Sequence, residues 1–188
     1  MAVRPIIITG SPVLHTRARE VDVVDDELRA LVADLYETMD AAPGVGLAAP
    51  QVGVGLRVFV YGWTDDDGVE HRGEAVNPTL WQSPLSIEEL DEDEESEGCL
   101  SIPGDRWPLR RADAVLLRAT DLDGRAFEVE ATGWLARIFQ HEYDHLDGVL
   151  YADRLEHPFS KGVAKSIRKS SWGSPGQSWL PGVDYLDG

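Results

Sequence analysis

One cysteine in 188 residues excludes an internal disulfide, so burial and hydrogen bonding must hold this fold without covalent staples. No apolar run is long enough to cross a bilayer. The start, Met1-Ala-Val-Arg-Pro-Ile, lacks the charged region, apolar stretch and cleavage site of a signal peptide, and a cytoplasmic location is expected. Positive charge is scarce: 17 Lys and Arg face 34 Asp and Glu, for a net charge of −17. That balance excludes general nucleic-acid binding, which needs basic patches. There is also no internal repeat and no sign of a second core.

The chain does have material for one domain: 43% hydrophobic and 27% charged residues over a length that buries a sizeable core. Eight of the ten residues from 88 to 97 are acidic, which reads as a solvated loop. The one local excess of positive charge is Lys161, Lys165, Arg168 and Lys169. Residues 1–156 read as a compact unit. Residues 157–188, rich in Ser, Gly and Pro, read as a tail with a short basic helix near residues 159–169 and a loosely ordered end. Trp172 and Trp179 are expected to anchor that end on the domain surface.

Residues 5–9 read as a short strand and residues 57–61 as another. Leu28, Leu31, Val32, Leu35 and Met39 recur at helical spacing, predicting a helix over 25–40 with Asp25 or Asp26 as its cap. Residues 44–51 read as a loop. Residues 114–120 and 126–131 predict paired strands joined at Asp123-Gly124, a strong hairpin signal. Thr132 is placed to cap a second helix, which Gly148 stops. Leu135, Ile138, Phe139 and Leu146 give that helix several apolar sides, so it should be buried. The sum is an α+β fold: short antiparallel sheets packed around a central helix.

That helix carries His141-Glu-Tyr-Asp-His145. Imidazoles at i and i+4 share a helix face and can reach one metal ion, and Glu142 can then move protons of a water at that ion. Such a site needs a third ligand. An extended zinc-protease pattern would require a histidine where Tyr151 stands, although Gly148 falls at the expected glycine. Glu156 follows too closely after the helix stop. Cys99 is the remaining donor, and a thiolate with two imidazoles gives a three-ligand tetrahedral site with one open position. Singly, each outlying piece has a plainer reading: a lone cysteine is most often a small buried hydrophobe, and Gln51 a surface amide.

Three segments together resemble the peptide deformylase family: Gly44-Val-Gly-Leu-Ala-Ala-Pro-Gln51, Glu97-Gly-Cys-Leu-Ser101 and Gln140-His-Glu-Tyr-Asp-His-Leu-Asp-Gly148. Gly10-Ser-Pro-Val-Leu-His15 is similar to the family's N-terminal segment, and the resemblance covers roughly residues 4–155. It implies hydrolysis of the formyl group from N-formylmethionine on new polypeptides, with Cys99, His141 and His145 as metal ligands and Glu142 as proton shuttle. Gln51 and the Leu100 backbone N–H would steady the oxyanion.

The resemblance also implies that Val45, Trp134 and Ile138 line a methionine pocket. Gly46 and Gly98 would lie along an extended substrate, and Arg106 near its peptide end unless it serves a structural salt bridge. Arg137 stands where relatives more often carry an aliphatic residue. Either its stem lines the pocket with its head in water, or the methionine preference differs. Cys/His/His ligation suits both zinc and ferrous iron; the family implies one Fe2+, with Zn2+, Ni2+ or Co2+ as substitutes. The basic segment at Lys161, Lys165, Arg168 and Lys169 is a candidate ribosome contact. Two rivals remain: an endopeptidase that does not use Cys99, and a non-catalytic relative. The intact Glu142 and Gln51 weigh against the second.

Overall fold

The computed structural model describes residues 2–87, 89–184 and 186. The first strand, β1 (Ile6–Ile7), is shorter than the expected 5–9. Helix α1 (Asp26–Ala41) begins where the sequence places it: the Asp25 side chain accepts from the Leu28 N–H at 2.9 Å, and Asp26 and Glu27 sit in the first turn, against the positive end of the helix dipole. All five apolar residues that mark its stripe are buried.

Residues 44–51 are more than a loop. They hold β2 (Gly46–Ala48) and a single 3-10 turn over Ala49–Val52. Strand β3 (Val58–Thr64) pairs with β2 and with β4 (Glu70–Gln82), a strand the sequence reading missed. A hairpin follows, formed by β5 (Ser96–Cys99) and β6 (Ile102–Pro108), also unforeseen. Strands β7 (Ala114–Thr120) and β8 (Ala126–Thr132) then pair as expected. Their turn is tied by the Asp121 carboxylate to the Asp123 and Arg125 N–H groups, with Gly124 at φ +75°. The main sheet runs β2-β3-β4-β7-β8, antiparallel throughout, so β2 is an edge strand.

Helix α2 (Gly133–Leu146) crosses one face of this sheet. Alternation along β3 explains the two-sided burial: Val58 and Val60 face the cluster built on α1, while Phe59 and Tyr61 face the cluster built on α2. Gln140 locks α2 in place through paired hydrogen bonds with the Ala112 backbone, both 2.9 Å. Thr132 occupies the N-cap position, but its side chain makes no capping bond, contrary to expectation. The helix ends as predicted at Gly148, φ +73°. The Gly148 N–H reaches the His145 carbonyl and the Val149 N–H the Asp144 carbonyl, a Schellman ending. Buried Arg57 closes the same end by donating to the Leu146 carbonyl at 3.0 Å and to Asp147 at 2.7 Å.

Two short segments complete the order: α3 (Tyr151–Arg154) and α4 (Phe159–Lys169), the expected basic helix. The chain then returns as β9 (Ser178–Trp179), paired antiparallel with β1. The expected loose end is therefore tied to β1 at Ser178–Trp179, although residues 173–176 and 178 are exposed. Trp179, expected on the surface, is 1% exposed and belongs to the α1 core, while Trp172 is half-buried against that core. Burying the large apolar ring of Trp179 favours the core over a surface seat, and its indole N–H finds a partner there in the Leu100 carbonyl. Tyr185, Asp187 and Gly188 of this end lie outside the described residues, as does Glu88 of the acidic run. The remainder of that run is not uniformly solvated. Residues 91–94 are exposed, but Glu97 lies in β5 and is 3% exposed.

Candidate metal centre and substrate cleft

His141 and His145 lie one turn apart on α2, and the β5–β6 hairpin brings Cys99 to them. Cys99 Sγ is 3.3 Å from His145 Nε2, which is 3.2 Å from His141 Nε2. All three donor atoms fall within 4.8 Å of one another. A tetrahedral ion with bonds of ~2.0–2.1 Å to nitrogen and ~2.3 Å to sulfur spaces its ligands by about 3.3–3.6 Å, so this donor set fits a metal. Burial, then a charged His141, holds the His145 pKa well below its ordinary value, whereas burial opposes the charge on His141 but Cys99 and Glu97 hold its pKa well above the usual imidazole range. Tyr151 stands by this group without joining it: its ring is 6.1 Å from that of His141, and its hydroxyl donates to the Asp105 carbonyl.

Glu142 projects from the same helix into the cleft. It is 3% exposed, Oε2 has no hydrogen-bond partner among the described residues, and burial pushes its pKa up to about 7. Gly46 of β2 faces this carboxylate so closely that a Cβ there would collide with it. Gln51 approaches from the 3-10 turn, 1% exposed rather than on the surface. Its Oε1 accepts from the Ala48 N–H at 2.9 Å, which turns Nε2 toward Cys99 Sγ, 3.9 Å, and Ser101 Oγ, 3.4 Å.

These groups line a cleft of about 610 Å³, together with Val45, Gly98, Leu100, Arg106, Trp134 and Ile138. Every residue that the family resemblance assigns to metal, catalysis or substrate borders it except His145, which lies beneath, 1% exposed. Arg106 makes no ion pair among the described residues. It donates to the Ser96 carbonyl at 2.8 Å, and its guanidinium lies 6.0 Å from the Trp134 ring centroid. Arg137 also lines the cleft, but its head does not reach water. The residue is 8% exposed, and Nη1 donates to the Leu109 carbonyl at 2.6 Å and to Glu97 at 3.4 Å.

Sequence reasoning missed the charges behind the site. Arg111 spans Glu97 and Asp144, 2.6 Å to each; Arg154 adds two bonds to Asp144, and Glu97 Oε1 lies 3.4 Å from His141 Nδ1. Burial opposes the charge on Glu97, yet Arg111 and His141 hold its carboxyl well below the usual carboxylate range. A charged carboxylate on the far nitrogen of a ligating imidazole orients the ring. The only signal was the position of Glu97 two residues before Cys99, and the acidic run masked it.

The polypeptide deformylase family model matches residues 3–160. The chain belongs to the polypeptide deformylase family. It is 48% identical over 185 residues to peptide deformylase 2 of Corynebacterium efficiens, covering 98% of this chain and 96% of that one. It is 47% identical over 187 residues to the peptide deformylase of Rhodococcus opacus, covering 97% and 95%. Among solved structures, the deformylase of Thermus thermophilus aligns with a TM-score of 0.75 and 37% identity over 89% of this chain and 94% of that one. The Synechococcus elongatus deformylase, solved with actinonin, aligns with a TM-score of 0.76 and 35% identity over 89% and 87%. Family membership makes the chain a hydrolase and agrees with the α+β fold. The cleft described above is thus the place to look for deformylase chemistry.

Proposed function

We propose that Cys99, His141 and His145 hold one metal ion with which this deformylase removes the formyl group from N-formylmethionine of new polypeptides, releasing formate. The family carries the reaction. The observation that carries the site is the convergence of three buried donor atoms within 4.8 Å beside Glu142 and Gln51. When bound, the ion supplies Lewis acidity and lowers the pKa of water. Glu142 takes the proton from the attacking water and passes it to the leaving amine as the C–N bond breaks. The Gln51 Nε2 group and the Leu100 backbone N–H donate to the oxygen on which charge develops.

The substrate pairs with β2 like an added strand, since the outer edge of β2 is unpaired in the sheet, with Gly46 and Gly98 allowing close approach. Val45, Trp134 and Ile138 receive the methionine side chain, with the Arg137 stem as a further wall. Arg106 stands at the peptide end. We assign the catalytic unit to residues 1–156 and treat 157–188 as its C-terminal extension. We also assign iron as the working metal, a cytoplasmic location, and a ribosome contact to Lys161, Lys165, Arg168 and Lys169. All four cations are exposed on α4 and make no ion pair among the described residues. Among the described residues no helix is long and apolar enough to cross a membrane.

Turnover of formyl-Met-Ala with metal content measured on the same sample tests the assignment. Active protein with one ion per chain supports it, and metal binding that survives Cys99→Ala unchanged returns the site to a two-histidine endopeptidase. Equal activity of zinc and iron forms would defeat the iron assignment. Unchanged ribosome co-sedimentation after deletion of residues 157–188 would remove the ribosome contact.

A further inference from the structure

Leu100 and Ser101 form the two-residue turn between β5 and β6, with Cys99 paired to Ile102 across it. Two-residue hairpin turns usually match the twist of their strands by placing one or both central residues at positive φ. Neither Leu100 nor Ser101 has a positive φ. This turn is instead held from outside by three hydrogen bonds. The Trp179 indole N–H donates to the Leu100 carbonyl at 2.8 Å, the Thr9 N–H to the Ser101 carbonyl at 2.9 Å, and Gln51 Nε2 to Ser101 Oγ at 3.4 Å.

The donor to Leu100 comes from the far end of the chain. Trp179 is 1% exposed and packs in the α1 core, against which Leu100 also packs. Its backbone is seated by pairing with Ile6, while the Ile8 N–H donates to the Gln177 carbonyl and the Gly173 N–H to the Thr9 carbonyl. One antiparallel seam between the two chain ends therefore supports both carbonyls of the turn. Trp179 lies beyond residue 160, where the match to the family model stops.

We infer that Trp179 is a positioning residue for deformylation: its indole N–H, bonded to the Leu100 carbonyl, fixes the turn and with it the direction of the Leu100 N–H beside the cleft that Leu100 lines. This rests on Leu100 N–H being an oxyanion donor. With the carbonyl end of Leu100 held, the residue cannot swing as a unit and its N–H keeps its direction. Donors of this kind work because they need no reorganisation as charge develops, and small misplacements are costly.

The test compares Trp179→Phe, which keeps an aromatic ring and removes the donor, with Phe127→Leu, which trims packing on β8 outside both the seam and the cleft. Both are made in the full-length, metal-loaded enzyme. Metal content, Tm, kcat and KM for formyl-Met-Ala are measured. Trp179→Phe should lower kcat about tenfold, with KM within about twofold and full metal, while Phe127→Leu keeps wild-type kcat at an equal or lower Tm. Equal kcat losses in the two variants, a change in KM alone, or no change in kcat overturns the inference while leaving the deformylase assignment standing. An inactive wild type with full metal overturns both. Should Trp179→Phe fail to fold, benzothienylalanine at position 179 keeps the bicyclic shape without the N–H and is held to the same outcomes.

Discussion

Glu142 is the residue to which the proposed mechanism gives the proton transfers, and its surroundings suit that role. It is buried, its carboxyl is pushed up to about 7 by that burial, Oε2 has no hydrogen-bond partner among the described residues, and Gly46 lies against it. Glu142→Ala should lower turnover of formyl-Met-Ala by about 10²–10⁴-fold while metal content stays at the wild-type level. Loss of the metal in that variant would assign Glu142 a structural role instead. Gly46→Ala places a methyl group against the same carboxylate. It should lower kcat about tenfold or more with little change in Tm, because Glu142 must turn away from the reacting atoms. At this scale the sequence was informative where residue type and local spacing carry the chemistry, as with His141, Glu142 and His145. Glu97 was misjudged because its partners lie 14 and 44 residues away, at Arg111 and His141. A run of carboxylates does not reveal which member turns inward.

Among the elements, α2 matters most, since its ending and its clamps set the direction of both histidines. Gly148 has φ +73°, and a Cβ there would meet the Thr16 backbone at 2.7 Å. Gly148→Ala should cost about 1–3 kcal/mol, seen as a lower urea midpoint with unchanged slope. An unaltered midpoint would mean that the α2 ending tolerates a side chain. Helix α1, the β7–β8 hairpin and the Gly148 stop were legible because each is encoded by neighbours: a cap and stripe, an Asp-Gly turn, a terminal glycine. Strand β4 was not. Its first five residues, Glu70-His-Arg-Gly-Glu, have no apolar alternation, and it is a strand because β3 and β7 flank it. The β5–β6 hairpin was hidden for a related reason: its turn is held by Trp179 and Thr9, far away in the chain.

Over the whole molecule, two long-range devices join the site to the fold. The first is the buried charge network of Arg111, Glu97 and Asp144. Arg111→Met removes the shared cation and leaves Glu97 without its closest partner, so stability should fall by about 3–5 kcal/mol in urea titration. A loss below about 1 kcal/mol would show that Arg137 and Arg154 suffice. The second is the metal itself. Stripping it with a chelator should abolish turnover and lower Tm, and restoring it should recover both, because an ion bound only by the folded chain stabilises that state. An unchanged Tm would place the metal's role in chemistry alone. The sequence by itself determined the family and the main helices, because motifs, caps and apolar stripes are residue types at short spacings, whereas Cys99 stands far from His141 along the chain. Only the tertiary structure decided that Glu97 is buried beside His141, that Arg137 points away from water, and that Trp179 of the C-terminal extension is a core residue. Each depends on which distant segment comes to lie alongside, and burial and pairing across the chain settle that after the local patterns have formed.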